Sequence, residues 1–147
     1  MLDFDPSPAQ LDAAKEDFRK FLWLMWRHLG LPAPTKMQYE VCEYLQHGPK
    51  RAIVQAFRGC GKSWITSAFV IWLLWRNPNL AILVVSASKD RSDAFSTFTK
   101  RLLSEVPFLA HLQSKGARAG QRDSNVAFDV GPSGAKHAPS VKSVGIY

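Results

Sequence analysis

The apolar positions along the first third of the chain recur at helical spacing. Leu11, Ala14, Phe18, Phe21, Leu22, Met25 and Leu29 follow one another at steps of three and four, which predicts a single amphipathic helix from Pro8 to near Gly30. Ser7, Pro8 and Gln10 supply its N-cap, first helical residue and capping-box partner. Trp23, Leu24 and Trp26 widen the apolar surface beyond one stripe, so this helix is expected to pack across a sheet. After the rigid Leu31-Pro32-Ala33-Pro34 connector, Thr35-Lys36-Met37-Gln38 repeats the capping-box pattern and starts a helix to about Gln46, closed by Gly48-Pro49.

The period then changes. Lys50–Gln55 and Leu80–Val85 are short apolar, partly β-branched runs that read as buried strands, with a helix from Lys62 to about Trp75 between them. Strand, helix and strand in that order predict a βαβ unit with parallel pairing and a right-handed crossover. Ser88 is the expected N-cap of a helix from Lys89 to about Glu105. Gln113–Asp123 is polar, basic and glycine-containing and reads as a loop. Asn125–Val130 and Ser140–Ile146 alternate like strands and are expected to pair as a ribbon or sheet edge.

Between the first strand and its helix lies Ala56-Phe57-Arg58-Gly59-Cys60-Gly61-Lys62-Ser63. Glycines in a strand-to-helix turn, closed by Lys-Ser at the helix start, match the Walker A phosphate-binding pattern with alanine in place of its first glycine. In such a loop Gly59 and Gly61 take positive φ, backbone N–H groups and the helix dipole bind phosphate, Lys62 reaches phosphate oxygens, and the Ser63 hydroxyl binds Mg²⁺. Alanine at position 56 is harmless if φ is negative there. Gln38 has two readings: its side chain caps the Thr35 N–H, or its amide reads the adenine edge of a nucleotide.

Composition narrows the class. The chain has 147 residues, 46% hydrophobic and 21% charged, enough for one globular domain. Its 19 Lys+Arg against 12 Asp+Glu leave a net charge of +7, which suits a polyanionic partner. Cys42 and Cys60 have no metal-ligand spacing, and no apolar run approaches the ~20 residues of a membrane span. The start of the chain has no secretory pattern, so an intracellular protein is expected.

Taken together, Pro34–Gln38, Gln55–Ser63, Val84–Arg91, Gly120–Asn125 and His137–Ile146 closely resemble large terminase subunits, above all those of short-tailed bacteriophages of the T-seven type. The resemblance implies a RecA-like, ASCE-type P-loop NTPase: an α/β fold with a mostly parallel sheet flanked by helices. It implies Mg-ATP as fuel, double-stranded DNA as cargo, and the portal protein and small terminase subunit as partners. A ring of subunits in the host cell cytoplasm, working during virion assembly, completes the family picture. By position, Gln38, Ala56, Phe57, Arg58, Gly59, Cys60, Gly61, Lys62 and Ser63 would form the nucleotide site, with Ser63 on Mg²⁺ and Arg58 as the catalytic loop arginine.

The match is to the N-terminal part of the family's ATPase domain. Residues 1–49 read as a helical segment, 50–105 as the Walker A core, and 106–147 as loop and short strands. The paired carboxylates of a Walker B motif are not found; Asp129, the last acidic residue, lacks the apolar run and the second carboxylate. The nuclease domain that lets the full-length family protein cut DNA is also missing. The sheet is therefore expected to be incomplete, and ATP to be bound but hydrolysed poorly. The alternatives are a catalytically inactive nucleotide-binding fragment and another P-loop NTPase such as a helicase-like protein.

Overall fold

A computed structural model of the protein describes residues 5–134 and 137–146. The start of the chain at Met1–Phe4, on which the absence of a secretory pattern was read, lies outside them. The chain divides into two compact units, Met1–Trp72 and Leu73–Tyr147, the division falling late in one helix.

The first unit is helical among its described residues: α1 (Pro8–Glu16), α2 (Phe18–His28), α3 (Lys36–His47) and α4 (Lys62–Arg76), which runs on into the second unit. The single helix expected over 8–30 is broken at Asp17, whose backbone is extended. Asp17 ends α1 and caps α2, its carboxylate accepting from the Arg19 N–H at 3.0 Å. The interruption frees two backbone groups, and one side chain takes both. Gln46 on α3 accepts from the Phe18 N–H and donates to the Glu16 carbonyl, each at 2.9 Å. The apolar stripe stays in phase across the break, so Ala14, Phe18, Phe21, Leu22 and Met25 are all fully buried. Their partners are helices rather than a sheet: α2 packs on α1 and α3, and the Phe18 ring lies tilted against Phe69 and Trp72 of α4, with centroids at 5.0 Å and 5.4 Å. The Trp72 indole N–H is satisfied by the Ala14 carbonyl at 2.9 Å.

The second unit holds the sheet. Strands β1 (Ile82–Ser86), β2 (Ala127–Phe128) and β3 (Val141–Gly145) lie in the order β1-β3-β2. β1 and β3 are parallel, with Val84 opposite Ser143, and β2 and β3 antiparallel, as expected for the two late strands. Helix α5 (Lys89–Glu105), capped by Ser88, packs on β1 and β3. Small residues let it approach: Ser92, Ser96 and Thr99 are buried, and the Ser143 hydroxyl donates to the Ser92 carbonyl at 2.8 Å. A Cβ on Gly145 would lie 2.3 Å from the Lys89 backbone nitrogen. Below the sheet edge, Asp129 is almost fully buried and accepts from the Arg122 N–H, the Arg122 guanidinium and the Ser140 N–H.

Two sequence expectations are corrected. Lys50–Gln55 forms no strand: the segment pairs with no ladder, and Ile53 is 81% exposed. A strand needs a hydrogen-bonding neighbour, and among the described residues this segment has none, while the run it was expected to pair with is bonded to β3. There is accordingly no βαβ unit around α4 among the described residues. Nor is the sheet mostly parallel and flanked by helices: it is small and mixed, α5 lies on one face, and Leu83 and Val85 on the other are 62% and 54% exposed.

Two measurements test this packing. Gln46→Met keeps volume but leaves the Phe18 N–H and Glu16 carbonyl without their partner; unfolding in urea is expected to be easier by about 1–3 kcal/mol. Burial, with the Asp17 carboxylate as the second cause, pushes the Cys42 thiol up to about 12 from 9.0. A thiol whose pKa rises on folding stabilises the fold below about pH 9 and loses that contribution as the pH climbs toward about 12. The stability difference between wild type and Cys42→Ala is therefore expected to shrink across that range.

Candidate functional site

Residues 56–63 form an exposed turn leading into α4. Gly59 and Gly61 have φ of 91° and 89°, and no other residue type takes positive φ among the described residues, so Ala56 is unstrained. Glycines of positive φ flanked by residues of negative φ are what an anion-binding nest requires of a turn. The N–H groups of Gly59, Gly61, Lys62 and Ser63 form no hydrogen bond among the described residues. They sit where α4 presents the positive end of its dipole. The Lys62 ammonium curls back over the turn and donates to the Ala56 carbonyl. Unpaired donors beside a lysine favour a negatively charged oxygen ligand.

The expected site residues separate into those facing inward and those facing out. Cys60 is buried, its N–H bonded to Phe57 O at 3.4 Å. Phe57, Arg58 and Ser63 are exposed, and the Arg58 guanidinium forms no ion pair among the described residues. Gln38 is drawn in from α3. Its Oε1 accepts from the Thr35 N–H at 3.0 Å, the capping role, while its Nε2 donates to the Cys60 carbonyl at 3.0 Å. Trp26 was not foreseen as part of the site. Its ring edge lies 3.8 Å from where a Gly61 Cβ would stand, and it meets Trp64 edge to face at 6.3 Å. The only trace of this in the sequence is that Trp26 falls off the main apolar stripe of its helix.

A cavity of about 640 Å³ lies elsewhere in the first unit, between Ala13, Trp23, Leu24 and Tyr39, and none of residues 56–63 line it. No group of three or more His, Cys, Asp or Glu could hold a metal ion among the described residues. The candidate site is thus defined by backbone donors rather than by a cavity or a ligand cluster.

Gly59 and Gly61 differ in a way that substitution reads out. Gly59→Ala meets only the cost of a positive φ, about 1–2 kcal/mol, because nothing lies near the new Cβ. Gly61→Ala adds a Cβ 3.2 Å from Gln38 Nε2. Thermal unfolding is expected to show the larger loss at Gly61.

No protein-family model matches the chain. It is 53% identical over 133 residues to the "Terminase, large subunit" of Enterobacteria phage T3, an alignment covering 90% of this chain and 22% of that protein. The chain thus spans about a fifth of the length of the curated relative it matches. At that identity, over nearly all of its own length, the chain belongs to the large terminase subunit family.

Proposed function

We propose that residues 56–63 are the phosphate loop of an ATP-driven motor that packages double-stranded DNA, and that this chain is its nucleotide-binding part. The observation that carries this reading is the set of unpaired N–H groups at Gly59, Gly61, Lys62 and Ser63, with the Lys62 ammonium held over them. Phosphate fits: the donors have no competing acceptor and Gly59 has open space around it. Lys62 would exchange the Ala56 carbonyl for phosphate oxygens. Arg58, exposed and unpaired among the described residues, is free to answer to the terminal phosphate.

Mg²⁺ fits only as a companion of the nucleotide. The Ser63 hydroxyl is the one ligand that this loop offers, and magnesium commonly takes few protein ligands alongside phosphates and water. When bound, it would neutralise phosphate charge. The net charge of +7 and the exposed Lys115 and Arg118 suit a DNA partner. In the assembled motor the portal protein and the small terminase subunit are the further partners, the subunits act as a ring, and a nuclease activity cuts the DNA. The RecA-like ASCE fold, with 1–49, 50–105 and 106–147 as parts of one ATPase domain, and a setting in the host cytoplasm belong to the same reading. No helix among the described residues is long and apolar enough to cross a membrane.

A reading as a nucleotide-binding module without efficient turnover is favoured by one contact set. Asp129 is committed to Arg122 and Ser140, so this carboxylate is not free to activate water. The chain is expected to bind an ATP analogue in isothermal titration and to hydrolyse ATP slowly. Lys62→Ala is expected to weaken binding about ten- to hundred-fold, the scale of a hydrogen bond to a charged group. Unchanged affinity would refute the phosphate-loop assignment.

A further inference from the structure

Resting on the reading of this chain as part of a motor that packages double-stranded DNA, we infer that the loop from Ser114 to Arg122 contacts the duplex backbone. Lys115 and Arg118 take the phosphates, and Gln121 positions them. Ion pairing within the second unit decides which cations are available. Lys89 is bonded to Asp93 at 2.7 Å, Arg101 to Glu105 at 2.8 Å and Arg122 to Asp129 at 3.2 Å, while Lys100 is held by Asp123. On α5 only Arg91 escapes this neutralisation, and on β3 only Lys142 does, each a single exposed charge. Lys115 and Arg118 are also exposed and make no ion pair among the described residues, but they share one short loop. The run from Val106 to Arg122 contains no carboxylate. Two unneutralised cations close together, with no acid on their own segment, raise the local potential that a polyanion meets.

The loop holds these two side chains at their roots. Gln121 accepts from the Lys115 N–H at 2.7 Å and donates to the Val130 and Gly131 carbonyls, both at 3.1 Å. The Ser114 hydroxyl accepts from the Gly116 N–H at 3.1 Å and donates to the Arg122 carbonyl at 3.0 Å. Inside this frame the Gln121 N–H donates to the Gly116 carbonyl at 3.1 Å, closing the turn around Ala117–Ala119. Gly116 and Gly120 have φ of 86° and 77°, and nothing lies within 4 Å of where a Cβ would stand on either. Only glycine and alanine flank Arg118, so no bulky side chain keeps a sugar-phosphate strand at a distance. A backbone fixed in advance loses less entropy on binding than a free loop does. The loop carries no aromatic residue on which an unpaired base could stack, which favours the phosphates of a duplex over a single strand. Contacts of this kind position DNA without reading its sequence.

The test follows binding of a short labelled duplex of mixed sequence, and of one of its strands, by fluorescence anisotropy across a salt series. The double variant Lys115→Gln, Arg118→Gln is expected to bind the duplex about tenfold more weakly and to lower the slope of log affinity against log salt by about 2. Lys115→Arg with Arg118→Lys keeps both charges and is expected to keep the wild-type slope. The charge-matched control, Arg91→Gln with Lys142→Gln, is expected to bind like wild type. Gln121→Leu is expected to weaken binding about three- to tenfold at wild-type slope, because the loop loosens while its charges remain. Wild-type affinity in Gln121→Leu would overturn its positioning role. A duplex bound with wild-type affinity and slope by the Lys115, Arg118 double variant would overturn the inference and leave the motor reading standing. An equal loss in the charge-matched control, or tighter binding of the single strand than of the duplex, would overturn it too. If wild type binds no duplex even at low salt, the DNA reading of this chain falls, and this inference with it.

Discussion

Helix α4 is under two opposite demands. Along its length it must be buried: Ile65, Ala68, Ile71 and Trp72 are all buried, and Phe18 of α2 packs against the Trp72 ring. At its first turn it must stay open, since the donors of Lys62 and Ser63 carry the proposed function only while nothing else takes them. A helix end with unpaired N–H groups is unfavourable unless solvent or a ligand satisfies them. The first unit reconciles the two by anchoring the helix deeply just beyond the loop. Trp26 supports Gly61 from beneath, and Gln38 fixes the Cys60 carbonyl from the side.

Glutamine amides recur as the device that makes these junctions. Gln46 satisfies both backbone groups freed at the α1–α2 break, and Gln38 joins a helix cap to the loop. In the second unit, Gln121 accepts from the Lys115 N–H and donates to the Val130 and Gly131 carbonyls, tying a basic loop down at both ends. A primary amide offers a donor and an acceptor on one rigid plane, so a single side chain can serve an orphan N–H and an orphan carbonyl together. Each of these three does so where the chain changes direction.

How much of this could be read in the sequence depends on range. The starts of α1, α3 and α5 were legible because Ser7-Gln10, Thr35-Gln38 and Ser88-Arg91 are local and the cap bonds form within a turn. The glycine turn and its Lys-Ser closure were legible for the same reason. The break at Asp17 was not, because its apolar stripe keeps phase through the interruption and the bonds that permit it come from Gln46, far along the chain. The pairing of β1 with β3 was missed because an apolar, β-branched run declares only that it can be buried, not which strand lies beside it. Gln38 looked like a choice between two roles. Its second bond is neither of them, but a non-local contact to a loop carbonyl that no spacing rule encodes.

The central claim is that the unpaired donors of this loop receive phosphate. The most direct measurement is the backbone amide NMR spectrum of the chain titrated with inorganic tripolyphosphate and Mg²⁺. The account predicts the largest downfield proton shifts at Gly59, Gly61, Lys62 and Ser63, as N–H groups without acceptors gain charged ones. Shifts concentrated elsewhere, with these four amides unmoved, would contradict it.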